Sequence, residues 1–172
     1  AIVLPLSGWL SDVFGRKKFF MGCIIGFTVA SFLCGAALTL PMLIFFRLMQ
    51  GLSGGGLQPT QQAIILDAFP PEKRGMAFGI VGITMIVAPV LGPTLGGLIT
   101  DNFSWRWIFF INIPFGILAL FAIGKLLPPD TVSKEKKHRK VDYIGLSLIA
   151  LSIGALQIML DKGQTEDWFH SE

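Results

Sequence analysis

Five runs of the chain, Phe19–Leu40, Leu43–Leu66, Met76–Ile99, Trp107–Leu127 and Tyr143–Leu160, are apolar almost throughout. About 20 such residues in a helix cross the roughly 30 Å of hydrocarbon in a bilayer. A partial run, Ala1–Leu6, reads as the tail of an earlier helix. Between the runs lie Ser7–Lys18, Pro41–Met42, Asp67–Gly75, Thr100–Arg106 and Pro128–Asp142, with Asp161–Glu172 at the end. Each is rich in Gly, Pro, Asp or charge, where helices stop. Composition closes the alternatives: 52% of the residues are hydrophobic and 15% charged, where a soluble domain carries about 25% charge. Disorder is excluded by the same abundance of large apolar residues. The expected fold is therefore all-α and transmembrane. Five spans nearly fill 172 residues and leave no room for a soluble catalytic domain. No metal-ligand spacing, phosphate loop or catalytic triad is present, so neither an enzyme nor a resident cofactor is expected.

Alternate connections share a membrane face. One face receives Arg16, Lys17, Lys18, Lys73, Arg74, Lys125, Lys134, Lys136, Lys137, Arg139 and Lys140, and the other only Arg106 and Lys162. Acidic residues divide nearly evenly, so the basic excess sets orientation and the first face is expected to be cytoplasmic. Ser7–Lys18, Asp67–Gly75 and Pro128–Asp142 would then be cytoplasmic, and Trp168 and Phe169 would be interface anchors outside. The basic residues fit orientation in a lipid bilayer, not nucleic-acid binding. The basic run at 134–140, with His138 exposed in it, reads as a solvated linker, with contact to anionic lipid as the alternative. Cys23 and Cys34 lie eleven residues apart in one run, about 16 Å along a helix, too far for a disulfide.

One repeat is visible: Gly8-Trp9-Leu10-Ser11-Asp12-Val13-Phe14 and Gly97-Leu98-Ile99-Thr100-Asp101-Asn102-Phe103 share G-x-[LI]-[ST]-D-x-F. Three spans separate the copies, which places them on opposite faces, as in transporters built from inverted three-helix repeats.

Arg47 is the only charged residue well inside a span. A buried cation is expensive in a bilayer, so it faces protein or water and marks function. Gln50, Gly51, Gly54, Gly55, Gln58 and Gln62 follow on one helical face. This stripe reads as a polar transport pathway, the alternative being that Arg47 only satisfies carbonyls of a neighbouring helix. Pro59 is expected to kink the end of this helix. In the next span Gly75, Gly79, Gly82, Pro89, Pro93 and Gly96 share a face, which suits close helix packing and a bend. In the loop Gly8–Lys18, Gly8 and Gly15 permit unusual backbone angles, and Asp12 is spaced to pair with Arg16 or to cap a helix.

These motifs carry a resemblance. Gly8-x-Leu10-Ser11-Asp12-x-x-Gly15-Arg16-Lys17-Lys18 resembles the loop signature of the major facilitator superfamily, and Arg47-x-x-Gln50-Gly51 its fourth-helix motif. Gly92-Pro93-x-x-Gly96-Gly97 resembles the fifth-helix motif of its proton-coupled antiporters. Trp105-Arg106-Trp107-Ile108-Phe109-Phe110-Ile111-Asn112-Ile113-Pro114 and Leu156–Gly163 resemble the EmrB/QacA group of fourteen-helix drug exporters.

The resemblance implies proton-coupled export of amphiphilic or cationic drugs by alternating access, powered by a proton gradient. Residues 1–127 would hold the end of the second helix through the sixth helix of the N-terminal bundle. Residues 128–142 would be a cytoplasmic linker, 143–160 a seventh helix and 161–172 an external loop. Arg47, Gln50 and Gly51 would couple proton and substrate movement. Gly8, Asp12, Gly15 and Arg16 would form a conformational latch, and Pro89, Gly92, Pro93, Gly96 and Gly97 a bend sealing the cavity. Gln58, Gln62 and Asn112 would be polar cavity residues. A periplasmic adaptor and an outer-membrane channel are the partners implied for a bacterial inner-membrane location.

No span contains Asp or Glu, and Arg47 does not release its proton. The proton-carrying carboxylate is therefore expected outside this stretch, and the chain is expected to be a fragment that does not transport alone. The rival readings are an uptake or metabolite transporter of the same superfamily and a non-transporting membrane module.

Overall fold

A computed structural model describes residues 3–128 and 143–163. All eight elements in those residues are helices: α1 (Val3–Phe14), α2 (Arg16–Ala36), α3 (Leu40–Gly54), α4 (Leu57–Ala68), α5 (Pro71–Asn102), α6 (Trp107–Phe110), α7 (Asn112–Leu126) and α8 (Tyr143–Gly163). The basic run at 134–140, His138, Trp168 and Phe169 lie outside the described residues, as does the side chain of Asp12. Arg16–Ala36, Pro71–Asn102 and Trp107–Leu126 are long and apolar enough to cross a membrane.

Two expected spans carry interruptions, and proline accounts for both. Pro59 has no N–H for the carbonyl of Gly55 and its ring crowds that carbonyl. The chain accordingly breaks between α3 and α4 at Gly55–Gly56, although both glycines keep right-handed helical angles. Pro114 does the same to Phe110, and Ile111 separates α6 from α7. Pro89 and Pro93 lie inside α5 without ending it.

The segment Ser7–Lys18, expected to be a tight turn between helices, is helical at all but one residue. α1 continues to Phe14, and Gly15 alone separates it from α2. Ser7 is fully buried and Ser11 nearly so, and the Ser11 hydroxyl donates to the Gly8 carbonyl at 2.8 Å. A hydroxyl satisfied within its own helix can enter a packed interface. Gly15, at φ 91°, is the only described glycine with positive φ, a region that side chains disfavour. Gly8, expected to share that freedom, is an ordinary helical residue.

α2 is the central helix, packed against α1, α3, α4, α6 and α7. Glycines let these neighbours close on it. A Cβ on Gly26 would sit 2.5 Å from Ser53 Oγ, on Gly56 2.8 Å from Cys23 Sγ, and on Gly116 2.1 Å from Thr28 Oγ1. Gly35 holds the edge of the Phe110 ring in the same way. The seams are lined by small and polar groups: among the described residues the largest fully buried side chains are Thr60, Cys34, Ser7 and Ser31. Large apolar side chains face outward, among them Ile83, Ile86 and Val90 on α5 and Phe115, Leu118 and Phe121 on α7. A small, hydrogen-bonded interior beneath an apolar exterior is the arrangement for a bundle solvated by lipid. The chain is an integral, multi-pass membrane protein.

Candidate functional site

Arg47 lies seven residues into α3, about 10 Å from that helix start. Its Nη1 donates to Gln50 Oε1 at 3.1 Å, one turn along the same face. Gln50 is only 4% exposed, and its Nε2 donates to Ser31 Oγ on α2. Asn112, the first residue of α7, donates from Nδ2 to the same oxygen at 3.4 Å. Ser31 thus accepts from two amides and uses both hydroxyl lone pairs. Three helices meet at one buried oxygen.

The guanidinium carbon of Arg47 lies 4.5 Å from the centroid of the buried Phe109 ring on α6. Among the described residues no carboxylate pairs with Arg47. Its charge is met by an amide oxygen and an aromatic face, both weaker than an anion. Such a site can bind or repel a mobile charge without first breaking a salt bridge.

Of the expected pathway residues, the structure brings together Arg47, Gln50 and Asn112. Gly51 is exposed, and a Cβ there would meet nothing within 4 Å. Beyond the break at Gly55–Gly56, exposed Gln58 faces Met85 Sδ of α5 at 4.0 Å, and Gln62 is also exposed. The stripe read as continuous is therefore divided, with its first amide inside the bundle and the next two outside. Ser31 and Phe109 were not singled out in the sequence. Ser31 shares a face with Thr28 and Gly35 at steps of three and four, a signal hidden by the length of its apolar run.

The second cluster lies at the opposite end of α2. Arg16 Nη1 forms an ion pair with Asp67 Oδ2 and donates to the Ala63 carbonyl at 3.1 Å, both in the last turns of α4. Lys17 Nζ donates to the Gly124 carbonyl at 2.9 Å and to that of Leu127, at the end of α7. Arg74 donates to the Leu66 carbonyl in the last turn of α4 and to the Phe69 carbonyl just beyond it. At the other face, Arg106 Nη2 donates to the Ala37 carbonyl beyond α2 at 3.0 Å. Basic side chains at helix C-termini satisfy carbonyls that have no intrahelical donor and oppose the dipole. Here they also tie neighbouring helix ends together, a role that reading them as orientation signals alone does not reveal.

The third cluster, Pro89, Gly92, Pro93, Gly96 and Gly97, lies on α5. A Cβ at Gly92, Gly96 or Gly97 would meet nothing within 4 Å, so no described helix closes on this face. The close glycine seams lie along α2 instead.

Comparison with known proteins agrees with this architecture. The family described as Major Facilitator Superfamily matches residues 1–165. The chain is 45% identical to multidrug export protein EmrB of Escherichia coli, covering all of this chain and 33% of that protein. It is 44% identical to fatty acid resistance protein FarB of Neisseria gonorrhoeae, over 99% of the chain and 33% of that protein. With multidrug resistance protein 3 of Bacillus subtilis the identity is 45%, over 96% and 32%. The chain spans about a third of the length of these curated relatives. With its helical fold, small-residue seams and matched span, the chain belongs to the major facilitator superfamily.

Proposed function

We propose that the chain is part of a multidrug exporter that moves amphiphilic or cationic drugs out of the cell in exchange for protons. The observation that carries this reading is the Arg47–Gln50–Ser31–Asn112 network within apolar helices, supported by the names of the export and resistance proteins that align along the whole chain. The relative named for fatty acid resistance supports amphiphiles as a substrate class.

An arginine side chain is a permanent cation, so the part of Arg47 in proton coupling is electrostatic. A fixed cation favours the ionised form of a nearby carboxylate. Arg47 would therefore promote proton release from an acidic carrier elsewhere in the full protein when alternating access brings the two together. Gln50 and Asn112 hold the site through Ser31, and Gly51 leaves the adjoining surface open. Arg16, with Asp12 and the hinge at Gly15 following Gly8, would latch one conformation by gripping the end of α4. The face at Pro89, Gly92, Pro93, Gly96 and Gly97 would seal against a helix contributed by the rest of the protein, while Gln58 and Gln62 face the cavity. The end bearing Arg16, Lys17, Lys18, Lys73 and Arg74 would be cytoplasmic, in a bacterial inner membrane. A periplasmic adaptor and outer-membrane channel are proposed as partners.

The test is drug efflux from cells expressing the full-length protein, with and without a protonophore. Efflux that stops with the protonophore is expected. Efflux indifferent to it removes proton antiport.

A further inference from the structure

Lys17 stands nine residues after Gly8, and Arg106 nine residues after Gly97. The two cations therefore hold the same position in the two copies of the repeat. Lys17 is in the first turn of α2, and Arg106 is the N-cap of α6, at the start of the α6–α7 segment. Each reaches the far end of the other's helix. Lys17 Nζ donates to the carbonyl of Leu127, the C-cap of α7. Arg106 Nη2 donates to the carbonyl of Ala37, the C-cap of α2. The two contacts are separated by the length of α2, about 30 Å for its 21 residues. Neither cation is placed to serve its own helix, because positive charge near a helix N-terminus opposes the dipole. An excess of basic residues at one membrane face accounts for Lys17, but Arg106 lies at the opposite end, where basic residues are scarce.

We propose that Lys17 and Arg106 are the two halves of one reciprocal clasp, which fixes the axial register of α2 against α6–α7. The helices run antiparallel, since the start of each meets the end of the other. In such a pair, sliding one helix along its neighbour stretches both contacts at once, whereas parting at one face stretches only one. Orphan carbonyls at each C-terminus supply the acceptors, and the dipole of the capped helix favours the cation that arrives there. Register is critical along this seam. A Cβ on Gly116 would fall 2.1 Å from Thr28 Oγ1, and Asn112 reaches Ser31 Oγ at 3.4 Å. A slide by the rise of one residue, about 1.5 Å, is enough to misplace both.

The test is hydrogen–deuterium exchange, read by mass spectrometry, on the full-length protein in lipid nanodiscs. Lys17→Met keeps an unbranched side chain and removes the donor. It should speed exchange about threefold to fivefold at residues 123–127, the end of α7, and leave the start of α2 protected. Arg106→Met should do the same at residues 33–37, the end of α2, and leave 123–127 unchanged. Unchanged exchange at the far helix end, or a rise confined to the helix that carries the substitution, overturns the proposal. The exchanged protein, Lys17→Arg with Arg106→Lys, decides the case in which a methionine variant exchanges throughout. The buried Nε of Arg106 has no partner among the described residues, so one donor suffices there and lysine should serve. Wild-type protection at both helix ends in the exchanged protein supports the clasp, and faster exchange at either end overturns it.

Discussion

The guanidinium of Arg47 rests on the ring of Phe109, 4.5 Å from its centre, so a charge on α3 is held by an aromatic face from α6. Such a contact contributes roughly 0.5–2 kcal/mol, more when it is shielded from water. Phe109→Leu keeps an apolar side chain but removes the ring face. It should lower the thermal midpoint of the full-length protein and reduce efflux. Arg47→Ala should abolish proton-driven efflux while membrane insertion persists. Undiminished efflux in Arg47→Ala would remove the coupling role.

Ser31 accepts from both Gln50 and Asn112. Ser31→Ala leaves the buried Gln50 amide and the half-buried Asn112 amide without this acceptor, a loss of about 1–3 kcal/mol in a protein interior and about 0.6 kcal/mol for an average hydrogen bond in a membrane bundle. A double-mutant cycle of Ser31→Ala with Asn112→Leu should give less than additive destabilisation, since each change removes the same bond. Strict additivity would show that α2 and α7 are not coupled through this oxygen.

That network also marks how far the sequence could be read. The spans Phe19–Leu40, Met76–Ile99 and Trp107–Leu127 were legible because bilayer thickness imposes a long apolar run whatever the tertiary structure. The break before Pro59 was legible because a missing N–H acts four residues away in the same helix. The helix through Ser11 was not, since a serine that bonds its own backbone reads as a loop former until its burial is known. Arg47 and Gln50 stood out as polar residues in apolar surroundings, and their spacing put them on one face. Ser31, Phe109 and Asp67 enter only through contacts between helices, which helical periodicity does not encode.

Gly15, at φ 91° and ψ 139°, occupies a region that side chains rarely adopt. Gly15→Ala should destabilise the α1–α2 junction by roughly 1–3 kcal/mol. Gly8→Ala, within α1, should be neutral or mildly stabilising because alanine is the better helix former. Thermal unfolding of the two variants checks the contrast, and equal midpoints would contradict the backbone assignment.

Gly116 and Gly92 separate packing from sealing. A Cβ on Gly116 falls 2.1 Å from Thr28 Oγ1, whereas one on Gly92 meets nothing within 4 Å. Gly116→Ala should force α7 away from α2 and lose about 1–3 kcal/mol. Gly92→Leu should leave this bundle's stability unchanged yet block efflux if that face seals against the rest of the protein. Unimpaired efflux with Gly92→Leu counts against the sealing role.

The Arg16–Asp67 pair joins the start of α2 to the last turn of α4 while both side chains keep solvent contact, 28% and 64% exposed. Exposed ion pairs contribute only about 0.2–1 kcal/mol, so Asp67→Asn should shift the thermal midpoint little. The same energy acts differently on a conformational equilibrium. If the pair exists in one transport state and not the other, its loss shifts the ratio of those states by up to about fivefold. Asp67→Asn and Arg16→Gln should therefore each change accessibility to a membrane-impermeant thiol reagent from one side of the membrane, with stability nearly unaltered. The exchange Arg16→Asp with Asp67→Arg tests the attraction itself. Arg16 also bonds the Ala63 carbonyl, which an aspartate cannot do, so the exchanged pair should recover only part of the wild-type ratio. Full recovery would assign the latch to charge alone, and no recovery would assign it to the carbonyl bond.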